Sequence, residues 1–257
     1  MKVVILAGGL GTRLGVITNV IPKPMIKVGK YPMIWHIVKY YLSFGHKDFI
    51  IALGYKSDII KKYFLKIAKK NISSNIKKNK SFLEIKNIFQ KNCKITLVET
   101  GLESMTGGRL KRISKFLKNE SFMLTYGDGL SNIDINKLIK FHNSHKKIAT
   151  ISAVHPIARF GELKIKGKNV ISFKEKPQTV DGWINGGFFV FESDVLNRLE
   201  SDHTVLESYP LESLSKEGQL KAYKHDGFWY CMDTPRDKDH LNMIWKLNNA
   251  PWKIWKK

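Results

Sequence analysis

Residues 2–23 read Lys2-Val-Val-Ile-Leu-Ala-Gly-Gly-Leu-Gly-Thr-Arg-Leu-Gly-Val-Ile-Thr-Asn-Val-Ile-Pro-Lys23: an apolar run, a glycine loop carrying Arg13, and then a lysine. The run Val3 to Leu6 is short and β-branched, as suits a strand covered on both faces, so the loop leaves the carboxyl end of a central strand. Ligands of open α/β sheets sit at that edge. Gly8, Gly9 and Gly11 let backbone N–H groups approach a phosphate chain with no Cβ in the way. Leu14 stands where a dinucleotide fingerprint has its third glycine, and no Gly-Lys-Ser/Thr follows as in a P-loop. Arg13 and Lys23 are the additions that suit a nucleoside triphosphate, although the loop alone is also compatible with a tight turn.

Around this segment, strand patterns recur at Lys2–Ala7, Phe49–Leu53, Lys94–Glu99, Ser121–Tyr126 and Ala149–Val154. Helical patterns separate them near Met33–Phe44, Asp58–Lys69, Gly108–Leu117 and Ile135–His145. Such alternation predicts an α/β fold, a parallel sheet with helices on both faces. After Pro156 shorter strands are expected at Gly161–Ile165, Val170–Phe173, Gly187–Phe191 and Leu220–Lys224, building a mixed second layer. The chain of 257 residues is therefore expected to form a single domain over 1–257, with a nucleotide-binding core over 1–155, a substrate part over 156–235, and a C-terminal helix and tail over 236–257. Trp245 to Trp255 is read as a helix followed by a docked tail, because Pro251 interrupts any continuous membrane-surface helix.

A formal net charge of +22 raises nucleic-acid binding as a possibility. The excess is nearly all lysine, with arginine only at positions 13, 109, 112, 159, 198 and 236, and base-reading surfaces favour arginine. The densest basic run, Lys56 to Lys94, has few aromatics to stack on bases and reads as a solvated face with an excursion around Asn71 to Lys80. No specific nucleic-acid partner is expected. The absence of an export signal or an apolar stretch of spanning length predicts a cytoplasmic protein with no membrane partner. Cys93 and Cys231 make neither a bridge framework nor a metal pair and are expected to be free thiols.

The chemistry is expected at the edge that carries the glycine loop. Tyr126-Gly127-Asp128-Gly129 ends the fourth strand there, and Asp128 is a candidate ligand for Mg2+, which favours one or two carboxylates plus phosphate oxygens and water. Asp233, in Trp229-Tyr-Cys-Met-Asp-Thr-Pro235, is the candidate second carboxylate. In Met105-Thr-Gly-Gly-Arg109, at the start of a helix, the glycines and Arg109 are suited to cup a second anionic or polar group. Lys176, in Glu175-Lys176-Pro177, is suited to a monophosphate, and Asn185, in Asn185-Gly186-Gly187, to sugar hydroxyls. Each motif alone is also compatible with a turn or a helix cap. Their combination is what points to a triphosphate, a monophosphate and a metal.

These motifs, together with Leu6-Ala-Gly-Gly-Leu-Gly-Thr-Arg-Leu14 and Pro22-Lys23-Pro24-Met25, make the chain resemble the sugar-1-phosphate nucleotidyltransferases over almost its whole length. Within that family it looks most like the glucose-1-phosphate cytidylyltransferases. The segments concerned are Ser104 to Arg112, Arg159-Phe-Gly161, Gly227-Phe-Trp229, Met232-Asp-Thr234 and Ala250-Pro-Trp-Lys-Ile-Trp255. The resemblance implies a Rossmann-like nucleotidyltransferase fold with a mostly parallel mixed sheet and a smaller sugar-binding layer. It also implies CTP and glucose 1-phosphate as substrates and Mg2+ as cofactor, and it suggests a homo-oligomer. It assigns Leu6, Ala7, Gly8, Gly9, Gly11, Thr12, Arg13, Lys23, Ser104, Thr106, Gly107, Arg109 and Asp128 to the nucleotide. Tyr126, Gly161, Glu175, Lys176 and Asn185 fall to the sugar phosphate, and Asp128 and Asp233 to the metal. Arg13, Lys23 and Asp128 are the expected catalytic residues. A thymidylyl or uridylyl transferase, or a cytidylyl transferase for another sugar, remains open from the residues alone, as does a noncatalytic nucleotide-sensing subunit.

Overall fold

The structure is a computed structural model that describes residues 1–156, 161–174 and 182–255. The chain begins with β1 (Lys2–Ala7), β2 (Lys27–Val28), β3 (Tyr31–Pro32), α1 (Met33–Ser43), β4 (Asp48–Leu53) and α2 (Ser57–Lys69). It continues through β5 (Asn75–Lys78), β6 (Phe82–Lys86), β7 (Lys94–Glu99), α3 (Thr106–Ile113), β8 (Phe122–Tyr126), β9 (Gly129–Ser131) and α4 (Ile135–His145). The last part holds β10 (Ala149–Val154), β11 (Glu162–Lys166), β12 (Asn169–Lys174), β13 (Ile184–Phe191), α5 (Tyr209–Lys216), β14 (Leu220–His225), β15 (Trp229–Cys231) and α6 (Pro235–Lys246).

Nine strands form one sheet in the order β14-β10-β13-β8-β1-β4-β7-β6-β5. β8, β1, β4 and β7 run parallel, so the loops after each of them open at the same edge. β13 is antiparallel to β8 and delivers its first residues, Ile184 to Gly187, to that edge from the opposite direction. Side chains of β1 alternate between two cores: Val3, Ile5 and Ala7 pack with α1 and α2, and Val4 and Leu6 pack with α3 and α5. A sheet covered on both faces explains why the β1 sequence is uniformly apolar.

Two expectations are revised. The strands foreseen for a second layer, at 187–191 and 220–224, belong to the central sheet as β13 and β14; β11 and β12 form a separate ribbon. The lysine-rich stretch is also more ordered than its composition suggests, since β5 and β6 extend the sheet beyond β7. Its outermost strand, Asn-Ile-Lys-Lys, is exposed throughout, and lysines on an edge strand discourage pairing with another chain.

The C-terminal tail docks as its sequence predicts. Trp252 is fully buried, its indole Nε1 donates to His36 Nδ1 at 3.3 Å, and His36 Nε2 donates to the Val28 carbonyl at 2.9 Å. Burial pushes the His36 imidazole down to about 4, so it is the neutral ring that fits between these partners. Among the described residues no helix is long and apolar enough to cross a membrane.

Candidate active site

The carboxyl edge of the sheet opens into a cleft of about 790 Å³. The glycine loop, the loop after β7, the turn after β8, the start of β13 and the strand β15 line it. Asp128 and Asp233 reach it from the same end of a small antiparallel ribbon, one from each strand. Asp128 immediately precedes β9, Asp233 follows β15 by one residue, and the two strands pair with Gly129 facing Cys231. The Met232 N–H donates to the Asp128 carbonyl at 3.0 Å, fixing the spacing of the two carboxylates through the backbone.

Lys23 lies between them. Its Nζ donates to Asp128 Oδ2 at 2.6 Å and to Asp233 Oδ1 at 2.5 Å, and Arg13 Nη1 donates to Asp233 Oδ2 at 2.9 Å. Burial opposes charge on Lys23, but the Asp128 carboxylate and its hydrogen bond outweigh that cost and hold the ammonium above the ordinary lysine range. Burial likewise opposes ionisation of Asp233, yet the hydrogen bond and charge of Lys23, then those of Arg13, keep its carboxyl below the usual range. The side chain of Arg13 is 74% exposed and that of Lys23 only 12%, so one cation is free to turn into the cleft while the other is enclosed. One oxygen from each carboxylate and the Cys231 sulfur lie within 4.8 Å of one another, a separation compatible with three donors to one cation.

Arg109 departs from its expected role. It is 4% exposed. Its guanidinium donates to the carbonyls of Gly8 (2.9 Å), Leu53 (3.2 Å), Gly101 (2.7 Å) and Leu102 (3.1 Å) and to Thr100 Oγ1 (2.8 Å). The cation that the sequence offers to an anion is thus a clamp that ties the loops after β1, β4 and β7 together. Burial, and then the charge of Arg112, push its pKa downward. Gly8 is explained by the same clamp, for a Cβ there would lie 2.3 Å from Arg109 Nη1. Gly9 has open space around it and Gly11 takes φ +68°, so these two carry the turn and the close approach.

On the opposite wall, Asn185 Nδ2 donates to Tyr126 Oη at 3.2 Å, and Tyr126 donates in turn to the Glu207 carboxylate. The second Glu207 oxygen accepts from Thr106 Oγ1 at 2.6 Å. This chain joins the start of α3 to the start of β13. Burial first, and then Glu207, push the Tyr126 phenol upward, which keeps it a neutral donor.

Leu6, Ala7, Gly8, Gly9, Gly11, Thr12, Arg13 and Lys23 line the cleft, as do Ser104, Thr106, Arg109, Tyr126, Asp128, Asn185 and Asp233. Gly107 instead packs against Thr204. Gly161 stands before β11 and is not among the lining residues. Arg159, Glu175 and Lys176 lie outside the described residues. Glu207 stands in no recognisable motif, and Trp229 and Cys231, although they fall in the segments Gly227-Phe-Trp229 and Trp229-Tyr-Cys-Met-Asp233, are not marked there as site residues. Only the alternation along Cys231-Met-Asp233, which puts positions 231 and 233 on one side, could have indicated the cysteine.

The family profile of nucleotidyl transferases matches residues 2–236. The chain is 46% identical to glucose-1-phosphate cytidylyltransferase of Salmonella typhimurium, across 99% of this chain and 100% of the relative. It is 32% identical to D-glycero-alpha-D-manno-heptose 1-phosphate guanylyltransferase of Campylobacter jejuni, covering 94% and 98% of the two chains. Among solved structures, HddC from Yersinia pseudotuberculosis complexed with GMP-PN superimposes with a TM-score of 0.70 at 26% identity, over 95% of this chain and 99% of that one. The mixed sheet with its parallel centre, the glycine loop at the carboxyl edge of that centre and a match over most of the sequence lead to one assignment: the chain belongs to the nucleotidyl transferase family.

Proposed function

We propose that the chain transfers a cytidylyl group from CTP to α-D-glucose 1-phosphate, giving CDP-glucose and pyrophosphate. The observation that carries the chemistry is the convergence of Arg13, Lys23, Asp128 and Asp233 at one end of the cleft. The end-to-end 46% identity to cytidylyltransferases supports the choice of substrates.

The acceptor phosphate is already anionic at neutral pH, so the protein needs no general base. Its task is to hold two anions in line and to neutralise charge as it moves to the leaving pyrophosphate. Gly9 and Gly11 give the triphosphate close access to the main chain. Arg13, which is exposed and bound through Asp233, turns to the β and γ phosphates. Lys23 leaves its two carboxylates to bridge the donor and acceptor phosphates at the α position. Asn185 and Tyr126, braced by Glu207, face the sugar.

The carboxylates fit a hard divalent cation. Lys23 and Arg13 hold Asp233 in its ionised form, the two side chains lie side by side, and a cationic group already rests between them. Asp128 and Asp233 would hold Mg2+, which supplies charge neutralisation at the reacting phosphates when bound. The enzyme is further read as a cytoplasmic homo-oligomer; the apolar side chains exposed on the β11–β12 ribbon, Leu163, Ile165, Val170, Ile171 and Phe173, support an interface there.

The test is pyrophosphate release with glucose 1-phosphate and Mg2+, comparing CTP, UTP, dTTP, ATP and GTP. Strong preference for CTP with CDP-glucose as product is the expected outcome. Preference for another nucleotide would overturn the cytidylyl assignment.

A further inference from the structure

Beside the two carboxylates stands a group that the binding of a hard cation does not require. Cys231 lines the cleft, and its sulfur is within 4.8 Å of both the Asp128 and the Asp233 donor oxygens. The arrangement is fixed by the backbone. Cys231 pairs with Gly129 across the β9–β15 ribbon, next in sequence to Asp128, and sits two residues before Asp233 on the same side of the strand. Gly129, opposite, brings no side chain between the sulfur and the carboxylates. A cationic group, the Lys23 ammonium, already occupies the space between the two carboxylates, so the position is built for positive charge.

We infer that Cys231 turns this position into a site for thiophilic divalent cations, held by Asp128, Cys231 and Asp233, and that such a cation blocks the transfer. The inference rests on the reading of Asp128 and Asp233 as metal ligands. Mg2+ binds oxygen and has little use for sulfur, whereas Zn2+ and Cd2+ gain most from a thiolate. A mixed oxygen and sulfur set therefore shifts preference toward the softer ions while leaving the carboxylates available to Mg2+. In a zinc tetrahedron the donor atoms stand roughly 3.5 Å apart, so small rotations of three side chains bring this set into range. On binding, the metal–sulfur bond replaces the S–H bond, the proton passes to solvent, and no oxidation takes place. The fourth position faces the cleft, where water or a phosphate oxygen completes the shell. The ion takes the place of the Lys23 ammonium and, gripped by sulfur, does not exchange with Mg2+ on the timescale of turnover.

The test is titration of the metal-free protein with Co2+ and Cd2+, following the near-ultraviolet thiolate-to-metal charge-transfer band, with zinc affinity measured by calorimetry. The wild type should show the band with one equivalent of metal. Cys231→Ser should lose it and weaken zinc binding by about tenfold or more. Asp233→Asn, which keeps the thiol, should weaken the band's midpoint and so guards against a folding defect in the cysteine variant. In turnover with Mg2+ and CTP, zinc should inhibit the wild type at a lower concentration than it inhibits Cys231→Ser. No band in the wild type, or a band and zinc affinity unchanged in Cys231→Ser, would overturn the inference. The band and the zinc affinity need no nucleotide, so a wrong assignment of CTP leaves them intact, and their failure leaves the CTP assignment intact.

Discussion

The cleft and the C-terminal tail are both built from residues far apart in sequence, but they use polar groups in opposite ways. In the tail, Trp252 is fully buried against the equally buried His36 of α1, whose ring nitrogens meet the Trp252 indole and the Val28 carbonyl, and the aromatic rings of Trp35, Trp245 and Trp255 close around the imidazole. In the cleft, two carboxylates share a lysine and an exposed arginine, and these charges pair mainly with one another at the edge of an open cavity. The tail is complete within itself and stabilises the fold. The charges of the cleft keep capacity for further partners, which is what a substrate site requires. The two regions are joined by α6, whose capping box of Thr234 and Asp237 stands next to Asp233 and whose far end carries Trp245.

That contrast can be broken at either end. Trp252→Ala removes a fully buried indole and should cost about 3–5 kcal/mol of stability by thermal or denaturant unfolding. Its kcat, measured well below the new midpoint, should stay near that of the wild type. Lys23→Ala should do the reverse, lowering kcat about 100- to 1000-fold, or about 2.7–4 kcal/mol in the barrier. Its folding should change little, and a loss of only a few-fold would mean that another cation bridges the phosphates.

A smaller effect comes from pH. His36 is pushed down to about 4 from 6.5, so the unfolded chain takes up the proton first. Stability from the tail is then complete above the unfolded value and is lost as pH falls toward the folded one. Unfolding at about pH 5 should show about 2 kcal/mol less stability from this group than at about pH 8. Replacing His36 by Gln should flatten that slope. Smallest is the helix cap, for Thr234→Ala should cost about 1 kcal/mol. Because the Asp237 carboxylate also accepts from the Asp233 N–H at 2.9 Å, Asp237→Ala should raise the Mg2+ concentration needed for half-maximal rate, whereas Trp252→Ala should not.

What could be read in the sequence follows the same division. β1, β7 and β10 have the bounds that their apolar runs predict, because a sheet covered on both faces leaves a continuous apolar run, and α4 has those of its helical period, with Ile135, Leu138 and His142 on its buried face. Arg13, Lys23, Asp128 and Asp233 were legible because glycine turns and strand ends mark the sheet edge. The β5–β6 extension was not, since its lysines face water and mask a strand period. Nor was the clamp made by Arg109, whose partners are mostly backbone carbonyls that leave no trace in side-chain identity. Glu207 escaped for a related reason: it acts through Tyr126 and Thr106 and stands in no motif of its own.

The central claim is that the Asp128 and Asp233 pair serves chemistry rather than folding. The most direct measurement is the rate of CDP-glucose formation by Asp128→Asn at saturating Mg2+, CTP and glucose 1-phosphate, with the thermal midpoint taken on the same sample. A loss of about 100-fold or more in kcat with the midpoint nearly unchanged is the predicted result. Turnover equal to that of the wild type under those conditions would contradict it.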